Sequence, residues 1–199
     1  MKTIIITILA GILSVRANAQ TAALALSRWS VSLEVLTQTT GVYAESLRFP
    51  GIKTQFGGAK GLQPSVEYVH VDKKHGQLFQ NLTLMGYGSG KETGSMVATS
   101  LGYRRRIAAA YLEAQAGIGY LQTTFGEDKE LQNPGGDFFT ERFRVGGLTP
   151  TVALGAGYNV NKKWKIYLRY YDHAQLQTEL NPGGVRLHRS LNLGIGLSV

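Results

Sequence analysis

The sequence of 199 residues contains no cysteine and no long run of apolar residues. Without cysteine, neither disulfide bonds nor a lipidated N-terminal cysteine can stabilise or anchor the chain. The longest mainly apolar run, residues 4–13, is about ten residues long, whereas a membrane-spanning helix needs about 20. We therefore expect that any later part of the chain that lies in a membrane crosses it as a closed β-barrel.

The N-terminal segment has the pattern of a secretory signal peptide. Lys2 precedes the apolar run of residues 4–13, and the small-residue sequence Ala-Asn-Ala follows at residues 17–19. This order of charge, apolar run and small residues predicts cleavage after Ala19. We therefore expect residues 1–19 to direct export and residues 20–199 to form one domain.

Alternation of apolar residues with polar or small ones is the main structural signal in the rest of the chain. Residues 187–199 show it most clearly, because their odd-numbered positions are apolar except for Arg189 and their even-numbered positions are polar or glycine. Residues 65–72 and 78–87 mix apolar and polar residues on both faces, so their facing is left open. The candidate strands are residues 29–35, 65–72, 78–87, 97–103, 110–120, 148–158, 164–171 and 187–199.

The connections between these strands alternate in length. Short connections are expected at residues 73–76, 104–108 and 159–162. Long ones are expected at residues 39–63, 122–145 and 174–186, with an intermediate one at residues 88–94. This alternation is typical of an all-β, eight-stranded antiparallel up-and-down transmembrane β-barrel with short periplasmic turns and longer outward loops. A ten-stranded barrel that uses residues 47–56 is the alternative.

Charge falls mostly on one face of the candidate strands, and the opposite faces contain almost none. The charged face holds Glu34, Glu113, Lys165 and Arg169. The apolar face of a soluble barrel points inward, but an eight-stranded barrel has room inside only for a thin column of side chains. We therefore place the apolar faces outside and the charges in the lumen. Because buried charges must be paired, they predict a structural salt-bridge network, with Glu67 and Arg104 as further candidates.

Aromatic residues on the apolar faces mark both ends of the strands. Those at the ends next to the termini or short turns are Trp29, Tyr103, Tyr158 and Trp164. Tyr120 and Tyr170 lie at the far ends. This placement predicts the two interfacial aromatic girdles of a membrane barrel.

The C-terminal segment LNLGIGLSV, residues 191–199, and the alternation before it resemble the small outer-membrane barrels of the OmpA/OmpX type. The resemblance implies a cell-surface protein in the outer membrane of a Gram-negative bacterium. It also implies that the barrel-assembly machinery recognises the last strand. Members of the family usually end in phenylalanine, whereas this chain ends in Val199.

The basic residues, 21 against 13 acidic ones, raise the question of a nucleic-acid partner. In an exported barrel, Arg105 and Arg106 of the triple-arginine run fit a periplasmic turn near anionic headgroups. Arg189 fits the phosphates of lipopolysaccharide at the other surface. We therefore expect outer-membrane lipids and lipopolysaccharide as partners, and no nucleic acid.

No metal site is recognisable, because His70, His75, His173 and His188 lack the spacing of metal ligands. No catalytic or cofactor-binding motif is recognisable either. We expect a structural or surface-interaction protein, not an enzyme. One alternative is a porin-like channel for small solutes or hydrophobic compounds, which predicts a wet lumen or a lateral opening. Another is a lipid A deacylase resembling PagL, but in the nearest segment, Asp172-His173-Ala174-Gln175, glutamine stands where that family has its nucleophilic serine.

Overall fold

The structure is a computed structural model that describes residues 28–42, 58–90, 92–132, 138–176 and 185–199. These residues form eight antiparallel strands in a closed barrel, in chain order, so the predicted fold class is confirmed. The strands are β1 (Trp29–Val42), β2 (Ala59–Lys73), β3 (Gly76–Gly88), β4 (Glu92–Ile107), β5 (Ala110–Gln132), β6 (Phe138–Asn159), β7 (Trp164–Leu176) and β8 (Val185–Ser198). The predicted signal peptide lies outside the described residues.

Pairing of the first strand with the last closes the barrel. Glu34 on β1 lies opposite Gln63 on β2 and also opposite Gly194 on β8. Because every strand has two neighbours, the eight-stranded ring offers no free edge for a further strand. The ten-stranded alternative is therefore wrong as an account of the barrel, and residues 47–56, on which it relied, lie outside the described residues.

Short turns lie at the end of the barrel that holds Trp29 and Ser198, which we call the turn end. The chain turns there at residues 74–75, 108–109 and 160–163. Among the non-glycine residues that the structure describes, Ala108 alone has a positive φ, of 57°. The opposite end, the loop end, holds the other four connections, at residues 43–58, 89–91, 133–137 and 177–184. The predicted alternation of connection lengths holds for the first and last of these, but residues 89–91 and 133–137 are about as short as the turns.

The strands extend further toward the loop end than the alternation predicted. β5 runs to Gln132 and β6 starts at Phe138, inside the region predicted as the loop 122–145. Strand residues likewise occupy both ends of the segments predicted as loops 39–63 and 174–186. These corrections share one physical reason: backbone pairing continues beyond the apolar band, where the outward face no longer has to be apolar and the alternation fades.

The barrel is apolar outside and polar inside. Leu154 and Leu193 face outward and are 68% and 60% exposed, whereas Arg169 and His173 face the lumen and are 1% and 0% exposed. This is the reverse of a soluble barrel and is the arrangement that a lipid environment requires. No helix in the described ranges is long and apolar enough to cross a bilayer.

The facing of β2 and β3, which the sequence left open, is settled by the structure. β2 turns Gln63, Ser65 and Glu67 inward, and a register shift between Val69 and Val71 then disturbs its alternation. The inward side chains of β3 are Gln77, Phe79, Asn81, Thr83, Met85 and Tyr87. Because apolar and polar residues share the lumenal face of β3, its two faces could not be told apart by polarity.

Glycines make room for the aromatic rings inside the barrel. A Cβ atom on Gly194 would lie 2.4 Å from the ring of Tyr167, and one on Gly157 would lie 2.3 Å from the ring of Tyr111. Both distances are shorter than van der Waals contact, so a larger residue would force the rings to move. The lumen is thus filled by side chains that fit against bare backbone on the neighbouring strand.

Candidate functional site

Six charged side chains gather in the lumen, in the half of the barrel nearer the turn end. They are Glu34, Glu67, Arg104, Glu113, Lys165 and Arg169, and all are buried. Three are carboxylates and three are cations, so their formal charges cancel. We call these six residues the lumenal charge network.

Arg104 on β4 binds two of the carboxylates. Its Nη1 and Nη2 atoms donate to the two oxygens of Glu67 at 3.0 and 2.7 Å, and its Nε atom donates to Glu113 Oε2 at 2.9 Å. The guanidinium also lies 4.4 Å from the ring centre of Phe79 and 4.8 Å from that of Tyr111. Because the guanidinium is planar and fork-shaped, these contacts hold it in one orientation.

Arg169 on β7 joins this group to Glu34 on β1. Its Nη1 atom donates to Glu34 Oε1 at 2.6 Å, and its Nε atom donates to Glu113 Oε1. Glu113 therefore bridges two arginines. The hydroxyl of Tyr167 also donates to Glu34 Oε1, at 3.0 Å, while its ring lies 4.1 Å from the Arg169 guanidinium carbon.

Lys165 and two neutral amide side chains provide further hydrogen bonds to the carboxylates. Lys165 Nζ donates to Glu67 Oε1 at 2.9 Å, at the turn end of the lumen. Glu34 Oε2 accepts from Gln63 at 3.1 Å and from Asn192 at 2.7 Å. Each of the three carboxylates thus has several donors, which is the condition under which buried charge can be tolerated.

Strand β6 contributes space beside the lumenal charge network instead of a side chain. A Cβ atom on Gly155 would lie 2.9 Å from Arg169 Cγ and 3.1 Å from Glu113 Cγ. The absence of a side chain at this position lets Arg169 and Glu113 meet against the wall of the barrel.

A second group of buried polar residues lies toward the loop end. Gln175 Nε2 donates to the backbone oxygens of Leu121 and Val145 at 3.1 and 3.2 Å. Gln38 Nε2 donates to His188 Nδ1 at 3.1 Å, and the other ring nitrogen of His188 donates to Gln175 Oε1 at 3.2 Å. This arrangement links five strands, β1, β5, β6, β7 and β8, across the lumen.

An apolar cluster and an ion pair adjoin this second group. The buried cluster contains Leu36, Met85, Met96 and Leu121. Nearer the loop end, Glu92 accepts from Thr40 Oγ1 at 2.7 Å and from Arg186 Nη2 at 3.1 Å. The lumen is therefore occupied at both levels, first by the lumenal charge network and then by these residues.

Replacing Gln175 by leucine is expected to lower the free energy of unfolding by about 1–3 kcal/mol, because two backbone oxygens and His188 each lose a buried hydrogen bond. Urea unfolding of the purified barrel in lipid vesicles measures the change. Gln80→Leu is the matched control, since Gln80 faces outward and its hydrogen bond to Thr99 Oγ1 is exposed, so it should cost much less stability than Gln175→Leu. Equal effects of the two substitutions would contradict the bridging role of Gln175.

The structure brings the four predicted lumenal residues, Glu34, Glu113, Lys165 and Arg169, into one network, together with Glu67 and Arg104. The alternation pattern alone does not mark Tyr167, Gln175, His188 or Asn192 as members of buried groups. Their parity carried the signal: Tyr167 and Gln175 share the face of Arg169 along β7. Their burial could not be inferred from residue type, because neutral polar residues are also common on solvated faces.

The six predicted aromatic residues all lie on the outward face. Trp29, Tyr103, Tyr158, Trp164 and Tyr120 are exposed, and Tyr170 is half-buried. Tyr103 near the turn end packs over Gly76, and Tyr120 toward the loop end packs over Gly146. Their membership of two membrane girdles stays a prediction.

The segment considered for lipid A deacylation does not form one site. Asp172 lies on the outward face and accepts from Arg189 Nε at 3.0 Å. His173 and Gln175 lie on the opposite, lumenal face and are fully buried. In the described part of the chain, no group of three or more His, Cys, Asp or Glu side chains is arranged to hold a metal ion.

The closed ring of eight strands, the apolar exterior and the paired interior define the fold of the small bacterial outer-membrane barrels. The chain is similar in structure to Neisserial surface protein A, NspA, with a TM-score of 0.55 and 12% identity over 87% of this chain and 98% of that one. The predicted resemblance is thus confirmed at the level of fold.

Two further solved structures are similar over nearly their whole length. Ail, the attachment invasion locus protein of Yersinia pestis, has a TM-score of 0.49 and 15% identity over 86% of this chain and 97% of that chain. The outer membrane enzyme PagL has a TM-score of 0.48 and 10% identity over 84% and 99%. No family model and no curated protein matches the sequence. At such low identities the likeness concerns the fold alone.

Proposed function

We propose that this chain is exported to the outer membrane of a Gram-negative bacterium and has a structural or surface-interaction role there. The observation that carries the proposal is the filled lumen. The lumenal charge network closes the half nearer the turn end, and the group around Gln175 and His188 closes the half nearer the loop end. A barrel without a wet bore presents only its outer wall and its loop end to partners.

The outer wall supports the proposed location. Its apolar band meets the hydrocarbon of the bilayer, and exposed tyrosine and tryptophan residues lie near both ends of that band. The partners we propose are the outer-membrane lipids, including lipopolysaccharide, and the barrel-assembly machinery, which would bind β8. The N-terminal residues 1–19 would direct export.

Neither a channel nor an enzyme is favoured by the side chains described. A channel for small solutes needs a continuous wet lumen, whereas paired charges and the cluster around Met85 and Met96 occupy this one. A lipid A deacylase of the PagL type needs a nucleophile beside a base at the lipid-facing surface. His173 faces the lumen instead, and Gln175 replaces the serine.

Gel mobility and conductance test the proposal together. Protein purified from outer-membrane fractions in mild detergent should migrate differently with and without boiling, which indicates a detergent-stable barrel. In planar bilayers the same preparation should give no discrete conductance steps, while a general porin in the same membrane does. Regular steps would establish the channel alternative, and recovery as a soluble periplasmic protein would refute the membrane location.

A further inference from the structure

Strands β4, β5 and β6 form a polar groove on the outer wall near the loop end. The groove has a volume of about 290 Å³ and is lined by Thr93, Gly94, Ser95, Gln122, Thr124 and Arg144. None of these lining residues is acidic. Arg144 is exposed and forms no ion pair with any side chain that the structure describes. The groove therefore places a guanidinium beside hydroxyl and amide groups.

An apolar groove crosses the same three strands further toward the turn end and extends to Leu78 on β3 and to Tyr170 and Asp172 on β7. Its volume is about 570 Å³. Ala114 and Ala116 on β5 form its floor, because each stands between larger residues on both neighbouring strands. Leu101 on β4 and Val152 on β6 flank Ala116 in the register. Two small residues in a row of large ones thus leave a depression in the apolar band.

The separation of the two grooves matches the depth of one membrane leaflet. From Gln122 to Ala116, β5 spans roughly 20 Å along the strand, and a tilt of about 40° reduces this to roughly 15 Å of depth. Half of the hydrocarbon core is also about 15 Å. If the polar groove lies at the outer interface, the alanine groove lies where the tails of outer-leaflet lipids end.

We infer that the β4–β5–β6 face binds one lipid of the outer leaflet that has a phosphorylated sugar headgroup. Arg144 would pair with a phosphate, since a guanidinium matches phosphate oxygens in geometry and charge. Gln122 and the hydroxyls of Thr93 and Ser95 would bind sugar groups. An acyl chain would then lie over Tyr120 and reach Ala116.

One acidic residue borders the apolar groove and has to be accounted for. Asp172 lines its edge on β7, and its carboxylate is held by Arg189 at 3.0 Å. Because that charge is already paired, it does not oppose an acyl chain in the alanine floor or a phosphate at Arg144 on another strand. The inference rests on the proposed outer-membrane location and names the class of lipid that this face would select.

Native mass spectrometry of the delipidated barrel in mild detergent, titrated with lipid A, tests the inference. Arg144→Gln is expected to weaken binding about tenfold, the equivalent of one charge-assisted hydrogen bond. Ala116→Leu fills the apolar groove and should weaken binding to a similar degree. The matched controls are Arg105→Gln, which removes an exposed charge at the turn end, and Ala156→Leu, which enlarges an exposed outward alanine outside the groove. Both controls should bind lipid A as the unaltered protein does.

Three ligands separate the sources of affinity. Lipid A with its phosphates should bind more tightly than dephosphorylated lipid A, and more tightly than a free glucosamine phosphate without acyl chains. Unchanged binding by both Arg144→Gln and Ala116→Leu would overturn the inference, as would equal binding of all three ligands. These variants should keep the heat-dependent gel shift. Loss of lipid binding by an intact barrel therefore tests the grooves, whereas absence of a membrane barrel would refute the proposed function itself.

Discussion

Replacing Glu113 by glutamine is expected to lower the free energy of unfolding by about 3–5 kcal/mol, the usual cost of removing one partner from a buried ion pair. The carboxylate of Glu113 contacts both Arg104 and Arg169 in the lumen. With a neutral amide in its place, three buried cations remain against two carboxylates. Urea unfolding in lipid vesicles, followed by the fluorescence of Trp29 and Trp164, measures the loss.

An exposed ion pair provides the control for this substitution. Arg106 Nη1 lies 2.8 Å from Asp72 Oδ1, and their side chains are 31% and 49% exposed. Arg106→Gln should therefore cost less than about 1 kcal/mol, because water screens the pair and solvates the remaining charge. A loss for Glu113→Gln no larger than that for Arg106→Gln would contradict a stabilising role for the lumenal charge network.

A double variant tests charge balance within the network. Removing Lys165 together with Glu113, as Glu113→Gln with Lys165→Met, leaves Arg104 with Glu67 and Arg169 with Glu34. Both remaining pairs have their partners at 2.7 and 2.6 Å in the unaltered protein. The double variant is therefore expected to lose less stability than the sum of the two single variants. Additive losses would show that each charge acts separately.

The fold could be predicted because a membrane barrel imposes a simple rule on each strand. Every second residue faces hydrocarbon and must be apolar, and strands β5 to β8 obey this rule closely. The rule weakens where the lumen itself accepts apolar residues, as with Phe79 and Met85 on β3. It also fails where a register shift interrupts the pattern, as between Val69 and Val71 on β2.

The pairing inside the candidate site could be predicted less well. Alternation identified Glu34, Glu113, Lys165 and Arg169 as lumenal, but it could not say which carboxylate meets which cation. That depends on the stagger of the closed ring, which brings Glu67 on β2 within 2.9 Å of Lys165 on β7. Closure sums the register of all eight strands, so no single segment contains this information.

Gly117→Val is expected to abolish the folded, heat-modifiable form of the protein. A Cβ atom at Gly117 would lie 2.3 Å from the backbone oxygen of Thr99 and 2.7 Å from Ser100 Cα. These are atoms of the neighbouring strand β4, which cannot move away without breaking the ladder that closes the barrel. Gel mobility with and without boiling, after refolding into detergent, measures the effect.

Gly86→Val separates this clash from any general effect of valine. Gly86 lies on the outward face of β3, and a Cβ atom there would meet nothing within 4 Å. Since valine favours strands more than glycine does, Gly86→Val should fold as well as the unaltered protein. If Gly117→Val also folded normally, β4 would have to yield at that position, and the close approach of its backbone to Gly117 would not limit the side chain there. If both variants failed, the failure could not be assigned to the clash with β4, because Gly86 has open space around it.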